Sequence, residues 1–125
     1  MSEREILFRG KRVDNGEWIE GGFIPSLNGK RFYVGNMFEC VEIIPETRCE
    51  YTGLTDKNGT KIFERDIVKV SNMGSTYYAR IEWDNSSFWV VNHDIQIPNY
   101  LGEISKTYLE VVGNIHDNPE LLKGE

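Results

Sequence analysis

Histidine and cysteine, the side chains that most often hold metals or act as nucleophiles, are scarce: the chain has two of each. His93 and His116 sit in no H-x-x-H or H-E-x-x-H arrangement, and Cys40 and Cys49 form no C-x-x-C. A zinc site would need four distant segments to converge. A Cys–His nucleophile pair has no local support either. Phosphate-cradling patterns are missing: neither G-x-G-x-x-G nor G-x-x-x-x-G-K occurs. The longest apolar run is Phe88-Trp89-Val90-Val91, far short of the ~20 residues a membrane-spanning helix needs. Met1–Glu5 is charged and lacks the apolar stretch of a secretion leader, so a cytoplasmic protein with reduced cysteines is expected, with no membrane partner. No catalytic, cofactor-binding or metal-ligating residue is assigned, and no cofactor is expected.

Positive charge is also in deficit. The net charge is −6, from 14 basic and 20 acidic residues, which disfavours a general electrostatic grip on nucleic acid. The imbalance is uneven. Residues 1–62 carry 9 basic and 10 acidic side chains, residues 63–125 carry 5 and 10. A local basic face in the first half is therefore allowed.

Turn chemistry is abundant. Asn15-Gly16, Asn28-Gly29 and Asn58-Gly59 each separate apolar or aromatic stretches, and both residue types tolerate the positive φ of two-residue hairpin turns. The pattern predicts a meander of short antiparallel strands. Val41–Ile44 reads as a strand ended by Pro45. Asp66–Val70 and Tyr77–Trp83 read as a hairpin across Ser71–Thr76, with Ala79, Ile81 and Trp83 on one face. Phe88–Val91 is apolar on both faces and reads as central. Leu109–Val112 reads as a late strand. Residues 95–108 read as a loop with one helical turn near Tyr100–Ser105. Asn118-Pro119-Glu120 has the N-cap, first-position proline and early acid of a short C-terminal helix.

Three constellations invite a functional reading. Asp56-Lys57-Asn58-Gly59 suggests a calcium loop, but a twelve-residue loop from Asp56 places Lys61 and Ile67 where glycine and glutamate are needed. Glu64 and Asp66 could be paired carboxylates of a hydrolase, lining a concave pocket; the competing reading has Asp66 capping the corner before Ile67-Val68. Arg9, Lys11, Arg12, Lys30 and Arg31 interleave with Trp18 and Tyr33, a composition that can grip single-stranded nucleic acid by stacking and phosphate contacts. The competing reading makes the rings core and the cations solvated strand edges. Arg9, Lys11, Arg12, Trp18, Lys30, Arg31 and Tyr33 form the expected binding surface, with Tyr100 a further contact ring.

Four segments together resemble the YopX family of small phage and prophage proteins. Ile6–Trp18 carries F-R-G-K and N-G-x-W. Residues 44–47 read I-P-E-T. Tyr51–Val68 matches Y-T-G-L-x-D-x-N-G-x-x-I-x-E-G-D-I-V, and Val112–Leu122 matches G-N-I-x-x-N-P-E-L. The family usually has glycine at the position of Arg65, which implies a less strained corner here, and Arg48-Cys49-Glu50 replaces a usual Val-Gly-Gln. The resemblance implies a mainly β fold in one domain, 1–125. It consists of an N-terminal antiparallel β-region (1–48) and a C-terminal SH3-like barrel with a short helix (49–125). It implies no activity, cofactor or site residue. The expected function is a non-enzymatic β-barrel adaptor in the bacterial host cytoplasm. Its partner would be a host or phage protein or a second copy of the chain. A nucleic-acid-binding module is the alternative and a hydrolase the third reading. Short strands gain by pairing edges between copies, so a homo-oligomer is expected.

Overall fold

The three Asn-Gly pairs fold as hairpin turns, with Gly16, Gly29 and Gly59 at φ of 74°, 72° and 80°. The computed structural model describes residues 6–36, 39–72, 74–92 and 95–122; Met1–Glu5, Met73 and His93 lie outside the described residues. The strands are β1 (Phe8–Lys11), β2 (Trp18–Pro25), β3 (Phe32–Gly35), β4 (Cys40–Ile43), β5 (Cys49–Thr55), β6 (Lys61–Phe63), β7 (Asp66–Asn72), β8 (Ser75–Asp84), β9 (Ser87–Asn92), β10 (Ile95–Tyr100) and β11 (Leu109–Asn114). They form two open sheets, ordered β4-β3-β2-β1-β5-β6 and β10-β9-β8-β7-β11, and the neighbours β1–β2, β1–β5, β2–β3, β3–β4, β7–β8, β8–β9, β9–β10 and β7–β11 pair antiparallel. By contact density the chain divides into two compact units, Met1–Tyr51 and Thr52–Glu125.

In the first unit, register places Phe8, Gly10, Ile19, Phe23, Phe32, Val34 and Ile43 on one face of β1–β4. Val34 and Ile43 are fully buried there. Phe8, Phe23 and Phe32 run diagonally across it with ring centroids 5.4 and 5.5 Å apart. Gly10 faces Ile43 so closely that an added Cβ would lie 2.5 Å from Ile43 Cδ1 and 3.0 Å from its Cβ. The I-P-E-T segment forms a single 3-10 turn, Pro45–Thr47, beside the end of β1. The buried Thr47 hydroxyl accepts the Lys11 N–H at 2.8 Å, and Ile44 N–H donates to the Lys11 carbonyl at 2.8 Å.

In the second unit, Val68, Val70, Ala79, Ile81, Phe88, Val90, Leu101 and Leu109 form the core with Ile62. The hairpin β7–β8 is longer than the sequence reading, running in register from Ile67↔Arg80 to Asn72↔Ser75. A turn not read from the sequence joins β8 to β9: Asn85 and Ser86 have φ of 49° and 64°, the sign pattern of a type I′ turn. Phe88–Val91 lies inside the sheet, but β8 occupies its centre and β9 sits one strand from the edge. Residues 95–100 form strand rather than loop. Pro98, which has no N–H, fits β10 because that strand is an edge.

The SH3-like barrel expected for this half is not formed. Closure requires the two outer strands to pair, yet β10 pairs with β9 and β11 with β7. The outer rim of β11 is instead occupied by the Asp56–Thr60 turn. Asp56 Oδ2 accepts Val111 N–H at 2.8 Å and Lys57 N–H donates to the Leu109 carbonyl at 3.0 Å. The expected C-terminal helix is also absent. Among the described residues, helical structure is confined to 3-10 turns at Pro45–Thr47, Leu101–Glu103, Lys106–Tyr108 and Pro119–Leu122. Asn118 does not cap a helix with its side chain. Its Oδ1 accepts Asn114 N–H at 3.2 Å, behind it in sequence.

Asp56 is 1% exposed, and its carboxylate accepts three backbone N–H groups. Burial pushes its pKa up, but the N–H donors of Val111, Thr60 and Asn58 outweigh this and hold it below the usual carboxylate range. A group depressed in this way stabilises the fold above its unfolded pKa of about 3.9, and the contribution is lost as pH falls through the lower folded value. Asp56→Ala is therefore expected to cost about 2–4 kcal/mol by urea denaturation at neutral pH. In Asp56→Asn the loss of stability below about pH 4 should be shallower than in the parent chain; an identical acid limb would show that this carboxylate carries none of it.

Arg65 corrects a further expectation. Its φ is 70°, in the left-handed region, so the corner before Asp66 is strained by a side chain where glycine would be relaxed. Arg65→Gly should raise stability by about 0.5–1 kcal/mol, seen as a higher urea midpoint. Gly10→Ala should lower it by about 1–3 kcal/mol, because Ile43 must move out of its packing. A midpoint that does not shift on Gly10→Ala would mean the Ile43 contact is not tight.

Candidate binding surface

β1 alternates, so Arg9 and Lys11 point away from the Phe8–Gly10 face. β2 returns antiparallel with Lys11 opposite Trp18 and Arg9 opposite Glu20. The two cations meet over one indole: the Arg9 guanidinium lies 4.6 Å and Lys11 Nζ 5.5 Å from the Trp18 ring centroid. Cation–π contacts at partly exposed sites contribute about 0.5–1 kcal/mol each. Trp18 is half-buried, so part of the ring still meets solvent. Register also places Ile24, Tyr33 and Glu42 on this face, Tyr33 lying opposite both.

The expected surface residues are thus not one patch. Arg9, Lys11, Trp18 and Tyr33 share a face. Arg12 turns to the β1–β2 turn, where Nε and Nη2 reach Asp14 Oδ1 and Oδ2 at 2.9 and 2.8 Å. The hydrogen bond with Asp14 raises the Arg12 pKa, and the same bond lowers that of Asp14. Lys30 and Arg31 are exposed at the β2–β3 turn. That is the far end of β2 from Trp18, roughly 23 Å along the strand at ~3.3 Å per residue. The shared face is also not uniformly basic, since it holds Glu20 opposite Arg9 and Glu42 opposite Tyr33.

The carboxylate pair fails as an acid–base site. Asp66 is 1% exposed and its Oδ2 accepts the Phe63 N–H at 2.8 Å, across its own corner. Glu64 Oε1 lies 3.5 Å from Arg65 Nη1. Neither carboxylate lines either cavity described below. Among the described residues no three His, Cys, Asp or Glu side chains are grouped to hold a metal ion, and no helix is long and apolar enough to cross a membrane. Cys40 and Cys49 are free thiols, the first exposed and the second buried. The Cys49 thiol donates to the Thr47 carbonyl at 3.3 Å.

Two concave features of the second unit were not read from the sequence. A cleft of about 340 Å³ has walls of Leu54, Leu101, Ile104 and Leu109 with Lys106 at its side. A groove of about 310 Å³ is lined by Glu82, Asp84, Asn85, Trp89 and Val91. Glu82 and Trp89 are directly opposite in β8 and β9, and Tyr100 of β10 is opposite Trp89, giving one row across three strands. The only sequence signal was the alternation Glu82, Asp84 on β8, which the apolar appearance of 88–91 obscured.

Comparison with known proteins places the fold. The model of the YopX protein family matches residues 8–123. The structure resembles that of protein yopX from Bacillus subtilis, with a TM-score of 0.63 and 20% identity, over 94% of this chain and 98% of that one. It also resembles protein EF1440 from Enterococcus faecalis, with a TM-score of 0.60 and 22% identity, over 97% and 100%. No curated protein matches the sequence. With a family match that runs from β1 through the last 3-10 turn, the chain belongs to the YopX family.

Proposed function

We propose that the chain is a non-enzymatic adaptor that binds a protein partner through the outer face of its first sheet. It would act in the cytoplasm of a bacterial host carrying phage or prophage genes. The observation that carries this reading is the composition of that face. A half-buried indole carries two cations over its ring, Glu20 stands opposite one of them, and the same face runs on along β2–β4 through Ile24, Tyr33 and Glu42. Trp, Tyr and Arg are the side chains that most often anchor protein interfaces, and charges of both signs suit a protein surface better than a phosphate backbone. The partner is a host or phage protein, or another copy of the chain.

Nucleic-acid binding is the second reading, favoured by Arg9 and Lys11 converging on Trp18. Against it stand the net charge of −6 and the separation of Lys30 and Arg31 from that cluster.

Affinity purification from phage-infected cells, with Trp18→Ala and Lys11→Glu as controls and light scattering on the pure protein, tests the proposal. A protein recovered with the parent chain, or self-association, should fall at least roughly tenfold in both variants while circular dichroism stays unchanged. No partner and no self-association, or equal recovery by the variants, would sink the adaptor. Mobility shift of single- and double-stranded probes at low salt should be absent. A shift that weakens steeply with salt, and disappears when Arg9, Lys11 and Arg12 are changed to Ala, would install nucleic acid in its place.

A further inference from the structure

The groove on the β8–β9 face is independent of the first-sheet surface and carries different chemistry. The indole of Trp89 forms its wall and is held from two sides. Nε1 donates to the Asp84 carbonyl at 2.9 Å, and the ring meets Tyr100 edge-on at 6.0 Å and 67°. An aromatic wall fixed in this way loses little rotamer freedom when a ligand packs on it. The type I′ turn at Asn85-Ser86 holds Asp84 at the rim, where it is exposed. Its carboxylate has no partner among the described residues, in contrast to Glu82, which bonds Arg80. A free carboxylate beside a fixed indole is the arrangement that receives a cationic side chain, by charge and by the negative face of the ring. The surrounding chain strengthens the bias: residues 63–125 carry 5 basic and 10 acidic side chains. At about 310 Å³ the groove has room for one long side chain and its flanking backbone.

We propose that this groove docks an arginine or lysine side chain from a basic segment of a protein partner. The cation lies against Trp89, is paired with Asp84, and is flanked by Glu82, Asn85 and Val91.

The test uses the full chain and two fluorescein-labelled peptides, one carrying arginine and its glutamine counterpart. Binding is followed by anisotropy and by the Trp89 indole N–H resonance, assigned by its loss in Trp89→Phe. The arginine peptide should bind and move that resonance, and the glutamine peptide should not. Asp84→Asn should weaken binding roughly fivefold or more, whereas Glu120→Gln, the same charge change at another exposed site, should leave it unchanged. The proposal is overturned if the arginine peptide fails to bind, if both peptides bind alike, or if Asp84→Asn and Glu120→Gln weaken binding equally. The last result would reduce the effect to net charge. If Asp84→Asn loses its folded spectrum, Asp84→Ser repeats the comparison.

Discussion

The second unit depends on a buried carboxylate with three backbone donors. Taking an ionised Asp56 out of water costs several kcal/mol unless its oxygens are satisfied. Here Asn58 and Thr60 N–H donate to one oxygen within the turn and Val111 N–H donates to the other from 55 residues away. Hydrogen bonds to a charged acceptor contribute about 1.5–3 kcal/mol each, enough to offset the desolvation, which agrees with the lowered pKa. The same carboxylate therefore closes a hairpin and seals the rim of β11. An exposed rim is a template for unwanted pairing, and a turn laid along it is one of the ways such an edge is covered. The sheet can remain open because this edge is already occupied.

The principle extends through the chain. Among the described residues the buried polar side chains are Thr47, Thr52, Asp56, Asp66 and Asn114, and each bonds backbone. Thr47 takes the Lys11 N–H, Thr52 donates to the Ile62 carbonyl at 2.8 Å, and Asp66 takes the Phe63 N–H. Asn114 Oδ1 takes the N–H groups of His116 and Asp117 at 3.0 and 2.9 Å. A small β-protein has many strand ends and few helices in which to satisfy backbone groups, and each group buried unpaired costs about 1–3 kcal/mol. All five residues fall within the segments that carry the family resemblance. Those segments are a signature of how the backbone is closed at its corners. That is why they identify the family so well and name no reaction.

This also explains what could be read from the sequence. The Asn-Gly turns were legible because two residues determine a turn through φ alone. Closure was not legible. Whether β10 meets β11 depends on what else occupies the β11 rim, and the Asp56–Val111 bond leaves no local trace. The C-terminal helix was misread for a similar reason: Asn118 is a good cap by type, but its side chain turns back to Asn114. Arg65 misled in the other direction. A residue in place of glycine implies a relaxed corner, yet the backbone keeps its positive φ and the side chain bears the strain. The expected surface split because β2 is eight residues long and carries Lys30 and Arg31 away from Trp18. The groove was hidden because Trp89 sits in an apolar run that reads as core, although only Phe88 and Val90 of that run are buried.

The two surfaces relate differently to the signature. Arg9, Lys11 and Trp18 lie within F-R-G-K and N-G-x-W, where the glycine is needed for Ile43 to pack and the flanking residues are turned outward by strand alternation. The constraint on Gly10 thus fixes the face that presents Arg9 and Lys11, and fold and surface are specified together. Glu82, Asp84, Asn85 and Trp89 lie outside every segment that carries the resemblance. Nothing in the closure of the backbone requires an indole or a carboxylate at those positions, apart from the bond from Trp89 to the Asp84 carbonyl, which any residue at 84 could accept. Side chains that the fold does not demand are free to be set by a ligand. If both proposed surfaces bind, a role common to the family would fall on the Trp18 face and a role particular to this chain on the Trp89 groove.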